Sequence, residues 1–179
     1  MKILDFKKDV LEASNLARLP FTPEQVGMPK VYALAELIAS IRDIDVIPYA
    51  QPFQTIKDNE VFIAVVSNVD MVVDAVDRVS ISNMIVQFAK KHLPDAIYLN
   101  PNYDGYSFSI VVSKARNMEE SFILGDDRGG YTIAPSFVGS ALFPSLLSLF
   151  VVSVLKKDNA YVHKNMLEIV RKVLGDGGD

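Results

Sequence analysis

Two hydrophobic rhythms alternate along the chain. Short apolar runs closed by acids or turn residues read as strands: Lys2 to Asp5, the stretch DIDVIPYA with Val46 and Ile47 at its centre, VDMVVDAVD, DAIYLN and YSFSIVVS. Between them, apolar residues recur at helical spacing. Val31, Leu34, Leu37, Ile38 and Ile41 predict a main helix opening at Pro29, and a second helix runs to Lys91 with Ser80 able to cap it. Thr22-Pro-Glu-Gln has the form of a capping box, with Pro23 first and Gln25 reaching back; it opens only a short turn, because Gly27 follows. Asp58 can cap a short helix through NEVFIAVV, PNYDG around Gly105 reads as a turn, and Met118 to Ser136 as a loop. Two helices, about Val138 to Leu155 and Tyr161 to Leu174, are expected before a Gly/Asp tail.

Strand, helix, strand, short helix, strand, helix, strand, strand predicts an α/β fold with a doubly wound, mostly parallel, Rossmann-like sheet rather than a barrel or sandwich. Such sheets bind ligands at the carboxyl ends of their strands, and Asp5, Asp74 and Asp77 fall at or just after strand ends. Asp74 is a problem in itself, since a carboxylate in a buried strand is costly unless it reaches a donor or the strand end.

Composition narrows the chemistry. A length of 179 residues, half of them apolar, suffices for one sizeable core. The formal charge of -4 and the lack of a basic cluster with interleaved aromatics argue against nucleic acid. With no cysteine there is no disulfide, no thiolate zinc site and no thioester on this chain. His92, beside Lys90 and Lys91, reads as a solvated surface residue and His163 similarly, so no metal-ligand spacing is present. MKILDF is too short an apolar run for a signal peptide. Phe137 to Leu155 is 19 residues without a charge, long enough for a membrane span, but it holds four serines and Pro144 and follows an α/β pattern. A buried central helix is the favoured reading, with a span or an interface helix as alternatives. The expected protein is cytoplasmic, without membrane or nucleic-acid partners.

None of the nine glycines forms G-x-G-x-x-G or G-x-x-x-x-G-K-[ST]. A nucleotide-binding unit of this class opens with strand, glycine-rich turn and helix, and ends its second strand in an acid that holds the ribose. Asp5 stands where that second strand ends, so the fold is expected to lack its first strand-helix unit.

The run from Asp5 to Ile38, with SNLARLPF, TPEQVGMPK and an amphipathic helix, resembles the ThiF/MoeB/ubiquitin-activating (E1-like) adenylyltransferase family. VDMVVDAVDRVSISNMI is similar to the family's strand and aspartate loop, and PSFVGSALFPSLLSLFVVSVLKK to its late buried helix. The resemblance covers about residues 1–157, leaving 158–179 as a C-terminal helix and flexible tail. It implies ATP-dependent activation of the C-terminal carboxylate of a ubiquitin-like or sulfur-carrier protein, giving an acyl-adenylate and pyrophosphate. On it, Asp5 resembles the ribose acid. Asn15, Arg18 and Lys30 look like phosphate-holding residues, and Asp77 like the aspartate that organises Mg²⁺ with ATP. Some members supply the arginine loop to a neighbouring subunit, so a homodimer or companion subunit is implied; structural zinc is not.

Departures are visible: Asp5 lies nine residues before Ser14 with Lys7 and Lys8 between, making Asp9 a rival acid. Leu19, Arg78 and Ser82 replace a glutamine, an asparagine and an arginine common in the family. With the glycine-rich loop missing, the chain is expected to be incomplete or inactive as it stands. The alternatives are a non-catalytic ThiF-like binding module and an unrelated nucleotide-dependent oxidoreductase.

Overall fold

The computed structural model describes residues 1–5, 9–50, 60, 63, 66–76, 78–104, 107–119, 121, 123 and 159–165. It falls into two compact units, Met1–Ser67 and Asn68–Asp179.

The first unit is a βαβ arrangement. Strand β1 (Lys2–Asp5) pairs in parallel with β2 (Ile47–Ala50), Lys2 opposite Ile47 and Asp5 opposite Ala50. Helix α1 (Lys30–Ile41) joins them and packs on both. Pro29 serves as its N-cap residue because a proline there gives up no amide the helix needs. Val31 and Ala33 are buried, Leu34, Leu37 and Ile38 half-buried, and Ile41 is 63% exposed, so the expected apolar stripe fades before the last turn. The strand begins at Ile47, leaving Val46 outside it. Glu60, Ile63 and Val66 are helical, as the NEVFIAVV pattern predicts.

Between β1 and α1 the chain makes a closed loop. Its base is a short antiparallel contact: the Leu11 amide donates to the Met28 carbonyl at 2.8 Å, the Gly27 amide to the Leu11 carbonyl at 2.8 Å, and the Lys30 amide to the Asp9 carbonyl at 2.9 Å. Leu11, only 1% exposed, anchors this base in the core, a burial that contributes about 1.5–3 kcal/mol. Within the loop lie two 3₁₀ turns, Ala13–Ala17 and Pro23–Gln25. The capping box is present at the second: the Thr22 amide donates to Gln25 Oε1 at 3.1 Å.

Gly27 turns the chain back at φ +90°, a conformation that strains any residue with a Cβ. A Cβ built there meets no atom within 4 Å, so the penalty is one of backbone alone. Gly27→Ala is expected to lower stability by about 1–2 kcal/mol in urea unfolding; an unchanged midpoint would show that the loop closes without this conformation.

The second unit is a four-stranded mixed sheet in the order β3-β4-β5-β6. Strand β3 (Met71–Val73) runs parallel to β4 (Ile97–Asp104), connected through α2 (Val79–His92); β4, β5 (Ser107–Lys114) and β6 (Asn159–Asn165) are successively antiparallel. Consecutive residues are buried on both strands of the hairpin, Tyr98 to Asn100 and Ile110 to Ser113, so this part of the sheet is covered on both faces. Ile85, Val86 and Ala89 of α2 are buried at helical spacing. The sheets are thus parallel in β1–β2 and β3–β4, with the helices expected of a Rossmann-like fold, and antiparallel beyond β4.

Four expectations are corrected. Pro101 to Asp104 continue β4 rather than turning, because each pairs with β5, down to Asp104 opposite Ser107. Arg78, not Ser80, is the N-cap residue of α2, and Ser80 sits inside its first turn. Tyr161 to Asn165 form a strand where a helix was expected, since Asn159–Asn165 pair along their whole length with β5. That ladder, together with the strand preference of Tyr161 and Val162, outweighs the helical spacing further on. His92 is half-buried against the Phe88 ring, centroids 4.7 Å apart, rather than fully solvated. No helix among the described residues is long and apolar enough to cross a membrane; Phe137 to Leu155, and Met166 to Leu174 of the expected last helix, lie outside them.

Candidate functional site

In the first unit the strand end, the loop and the helix start carry four of the predicted residues. Asp5 is the last residue of β1, as the sequence predicts. Asn15 lies within the first 3₁₀ turn and is 7% exposed. Its Oδ1 accepts the Glu12 amide at 3.1 Å, which fixes the side chain. Arg18 closes the same turn, its amide donating to the Asn15 carbonyl at 3.2 Å, with a half-buried side chain. Lys30 is the first residue of α1.

A cation at the positive end of a helix is unfavourable unless an anion is close. The structure supplies one from the chain itself. Lys30 Nζ pairs with Asp9 Oδ2 at 3.3 Å, with the two side chains 40% and 45% exposed. Asp9, the rival acid of the sequence, therefore acts at the loop base. The loop brings Asn15, Arg18, Asp9 and Lys30 into one closed piece of chain immediately after β1, where the parallel strand ends.

In the second unit Asp77 lies outside the described residues. Its neighbour Asp74, placed just after β3, answers the question its burial raises. It is 2% exposed, and both carboxylate oxygens have donors: Oδ1 accepts the Val76 amide at 3.1 Å, and Oδ2 accepts the Tyr98 hydroxyl. The Asp74 amide donates to the Leu99 carbonyl at 2.8 Å, and Asn100 Nδ2 donates to the Asp74 carbonyl at 3.1 Å. Burial, then the charge of Asp74 and their hydrogen bond, push the Tyr98 hydroxyl far above its ordinary value. This Asp74–Tyr98–Asn100 knot ties the end of β3 to β4 and gives each carboxylate oxygen a protein donor. Among the described residues no three His, Cys, Asp or Glu side chains cluster as a metal site.

Sequence reasoning found Asp74 but not its partners. The available signal was a tyrosine and an asparagine at Tyr98 and Asn100, two apart on one strand and hence on one face. Ser82, where the family resemblance implied an arginine, is 1% exposed on α2. A guanidinium has no counterpart there.

No curated protein matches the chain. Solved structures do, at low identity. A PaaA crystal structure superposes with a TM-score of 0.62 at 13% identity, covering 92% of this chain and 55% of that one. Escherichia coli MccB crystallised with ATP gives 0.60 at 16% identity, covering 92% and 56%. MccB with AMPCPP and MccA gives 0.58 at 14% identity, with the same coverage. These likenesses establish the fold, and the chain spans a little over half the length of the proteins it resembles. The ThiF family model matches residues 1–130, which carry β1, the closed loop, α1 and the β3–α2–β4–β5 unit: the chain belongs to the ThiF family.

Proposed function

We propose that this chain carries the phosphate-facing part of a ThiF-type adenylylation site. In this reading Asp5 holds the ribose, and Asn15, Arg18 and Lys30 hold the ATP phosphates. Asp77 organises Mg²⁺, and the substrate is the C-terminal carboxylate of a ubiquitin-like or sulfur-carrier protein. The observation that carries it is the closed loop at the end of β1, which holds one amide donor and two cations on a single backbone-clamped segment. These donors suit a polyphosphate: fixed N–H groups and cations stabilise the charge that develops on phosphate oxygens during adenylyl transfer. Magnesium would fall to Asp77 by the family resemblance, while Asp74 already ties β3 to β4 through Val76 and Tyr98. MccB, similar in fold, has been crystallised with ATP and with AMPCPP and MccA, which supports a nucleotide ligand for this chain as well. Catalysis would further need a glycine-rich phosphate cradle, which these 179 residues do not contain. A homodimer or companion subunit is the natural source of missing parts, and a cytoplasmic location fits an ATP-dependent reaction.

A second reading is a non-catalytic ThiF-like binding module. It is favoured by the absent glycine pattern and by Lys30 having a carboxylate partner already. Family membership leaves no support for the oxidoreductase alternative.

Calorimetric titration of the full chain with Mg-ATP separates the two. Binding that weakens about 10-fold in Arg18→Ala, the scale of a lost charge-assisted hydrogen bond, and stays constant in Lys90→Ala on α2 is the expected result. No measurable binding, or binding indifferent to Arg18, would favour the module.

A further inference from the structure

We infer that Asp9 is the built-in counter-ion of Lys30, and that a polyphosphate enters this loop by displacing its carboxylate from the ammonium. The inference rests on the reading above, in which Lys30 takes phosphate. Three observations carry it. First, α1 has no acidic residue in its first turn and no side-chain cap, so the carboxylate that meets Lys30 comes from the facing segment, 21 residues away in sequence. Second, both ends of the pair are open to solvent, 40% and 45% exposed, so an anion can reach the ammonium and the pair is a weak one. Third, the loop does not depend on the pair for closure. The Asp9 carbonyl holds the Lys30 amide, and Leu11 bonds Met28 and Gly27 through backbone alone. The Asp9 side chain can therefore leave while its backbone stays in place.

The consequence is a tax on anion binding. With phosphate absent, Asp9 neutralises Lys30 and the positive end of α1. With phosphate present, the displaced carboxylate remains tethered close by and repels it. The residue thus tunes how strongly the loop takes an anion, favouring ligands that bring several charges or a bound Mg²⁺ over a single phosphate.

The test uses the full chain and pyrophosphate as the probe, titrated calorimetrically. Asp9→Asn keeps the shape and the backbone bond but removes the charge; pyrophosphate is expected to bind about 3–10-fold more tightly, the scale of an exposed pair plus one removed repulsion. In a Lys30→Gln background the same change should give less than half of that gain. Because Asp9→Asn could destabilise the loop, the unaltered protein supplies an independent readout: the ¹³C carboxyl resonance of Asp9 should shift as pyrophosphate is added, and stay fixed in Lys30→Gln. If Lys30→Gln weakens binding while Asp9→Asn does not tighten it and the Asp9 resonance does not move, the counter-ion inference is overturned and the phosphate reading stands. If Lys30→Gln leaves pyrophosphate affinity unchanged, Lys30 takes no phosphate and both fall.

Discussion

Incubated with ATP, Mg²⁺, labelled pyrophosphate and a carrier protein ending in glycine, residues 1–179 alone should give no ATP–pyrophosphate exchange above background. On the proposed reading the loop between β1 and α1 offers side-chain donors to phosphates, but adenylyl transfer also needs backbone amides fixed around the α- and β-phosphates. Neither G-x-G-x-x-G nor G-x-x-x-x-G-K-[ST] occurs in the sequence. Joining a glycine-rich strand–loop–helix ahead of Met1, or adding it as a second polypeptide, should therefore restore exchange. In that complemented protein, Arg18→Ala or Asp77→Ala should each lower the rate about 10²-fold or more, the scale of removing one preorganised electrostatic group. Asp77→Ala should in addition weaken the dependence on Mg²⁺, while Lys90→Ala serves as the silent control. Robust exchange by the unaided chain would show that its own backbone supplies a cradle. A complemented protein that exchanges normally without Arg18 and Asp77 would sink the site assignment and put the binding-module reading first.

What could be read from the sequence was what is local. The strand Lys2–Asp5, the helix opening after Pro29 and the second helix through Lys91 follow from periodicity and backbone preferences within a few residues. The Thr22–Gln25 box is local too, and it is present. Partners distant in sequence were not legible. Asp9 was recognised as a rival to Asp5 for an acidic role; the structure pairs it instead with Lys30, 21 positions on. Asp74 was recognised as a buried carboxylate in need of a donor, and the donor is 24 positions away. The strand Asn159–Asn165 failed for the same reason: the apolar residues after it are spaced as in a helix, and only the edge of β5 makes a strand of these seven residues. The family likeness suggested roles for Asp5, Asn15, Arg18 and Lys30 that no pairing rule could. Placing Asn15, Arg18 and Lys30 on one clamped loop needed the three backbone bonds at its base.

The largest stability effect is expected at the Asp74–Tyr98 pair. Tyr98 is fully buried and donates to a carboxylate that is itself 2% exposed. Tyr98→Phe leaves that oxygen charged, dry and without a donor, and should cost about 3 kcal/mol. Asp74→Asn should cost only about 1 kcal/mol, since the amide keeps an acceptor for the Val76 amide and offers a donor to the Tyr98 oxygen. With the carboxylate already gone, Tyr98→Phe strands no charge. The double variant should therefore lose about 1–2 kcal/mol less than the sum of the single changes. The same pair sets a response to alkali. Burial and the neighbouring carboxylate raise the Tyr98 hydroxyl above the ordinary value of 10.0, so above pH 10 the unfolded chain releases a proton that the folded one keeps. Fewer protons are then bound in the unfolded state, and stability falls as pH rises. The contribution is whole below pH 10 and is lost above it at about 1.4 kcal/mol per pH unit. Urea midpoints measured from pH 8 to pH 11 should thus fall more steeply for the parent than for Tyr98→Phe, whose lower starting stability is already explained by the stranded carboxylate. Parallel curves for the two proteins would mean that Tyr98 ionises as freely in the fold as outside it, and would remove the buried pair from the account of this sheet.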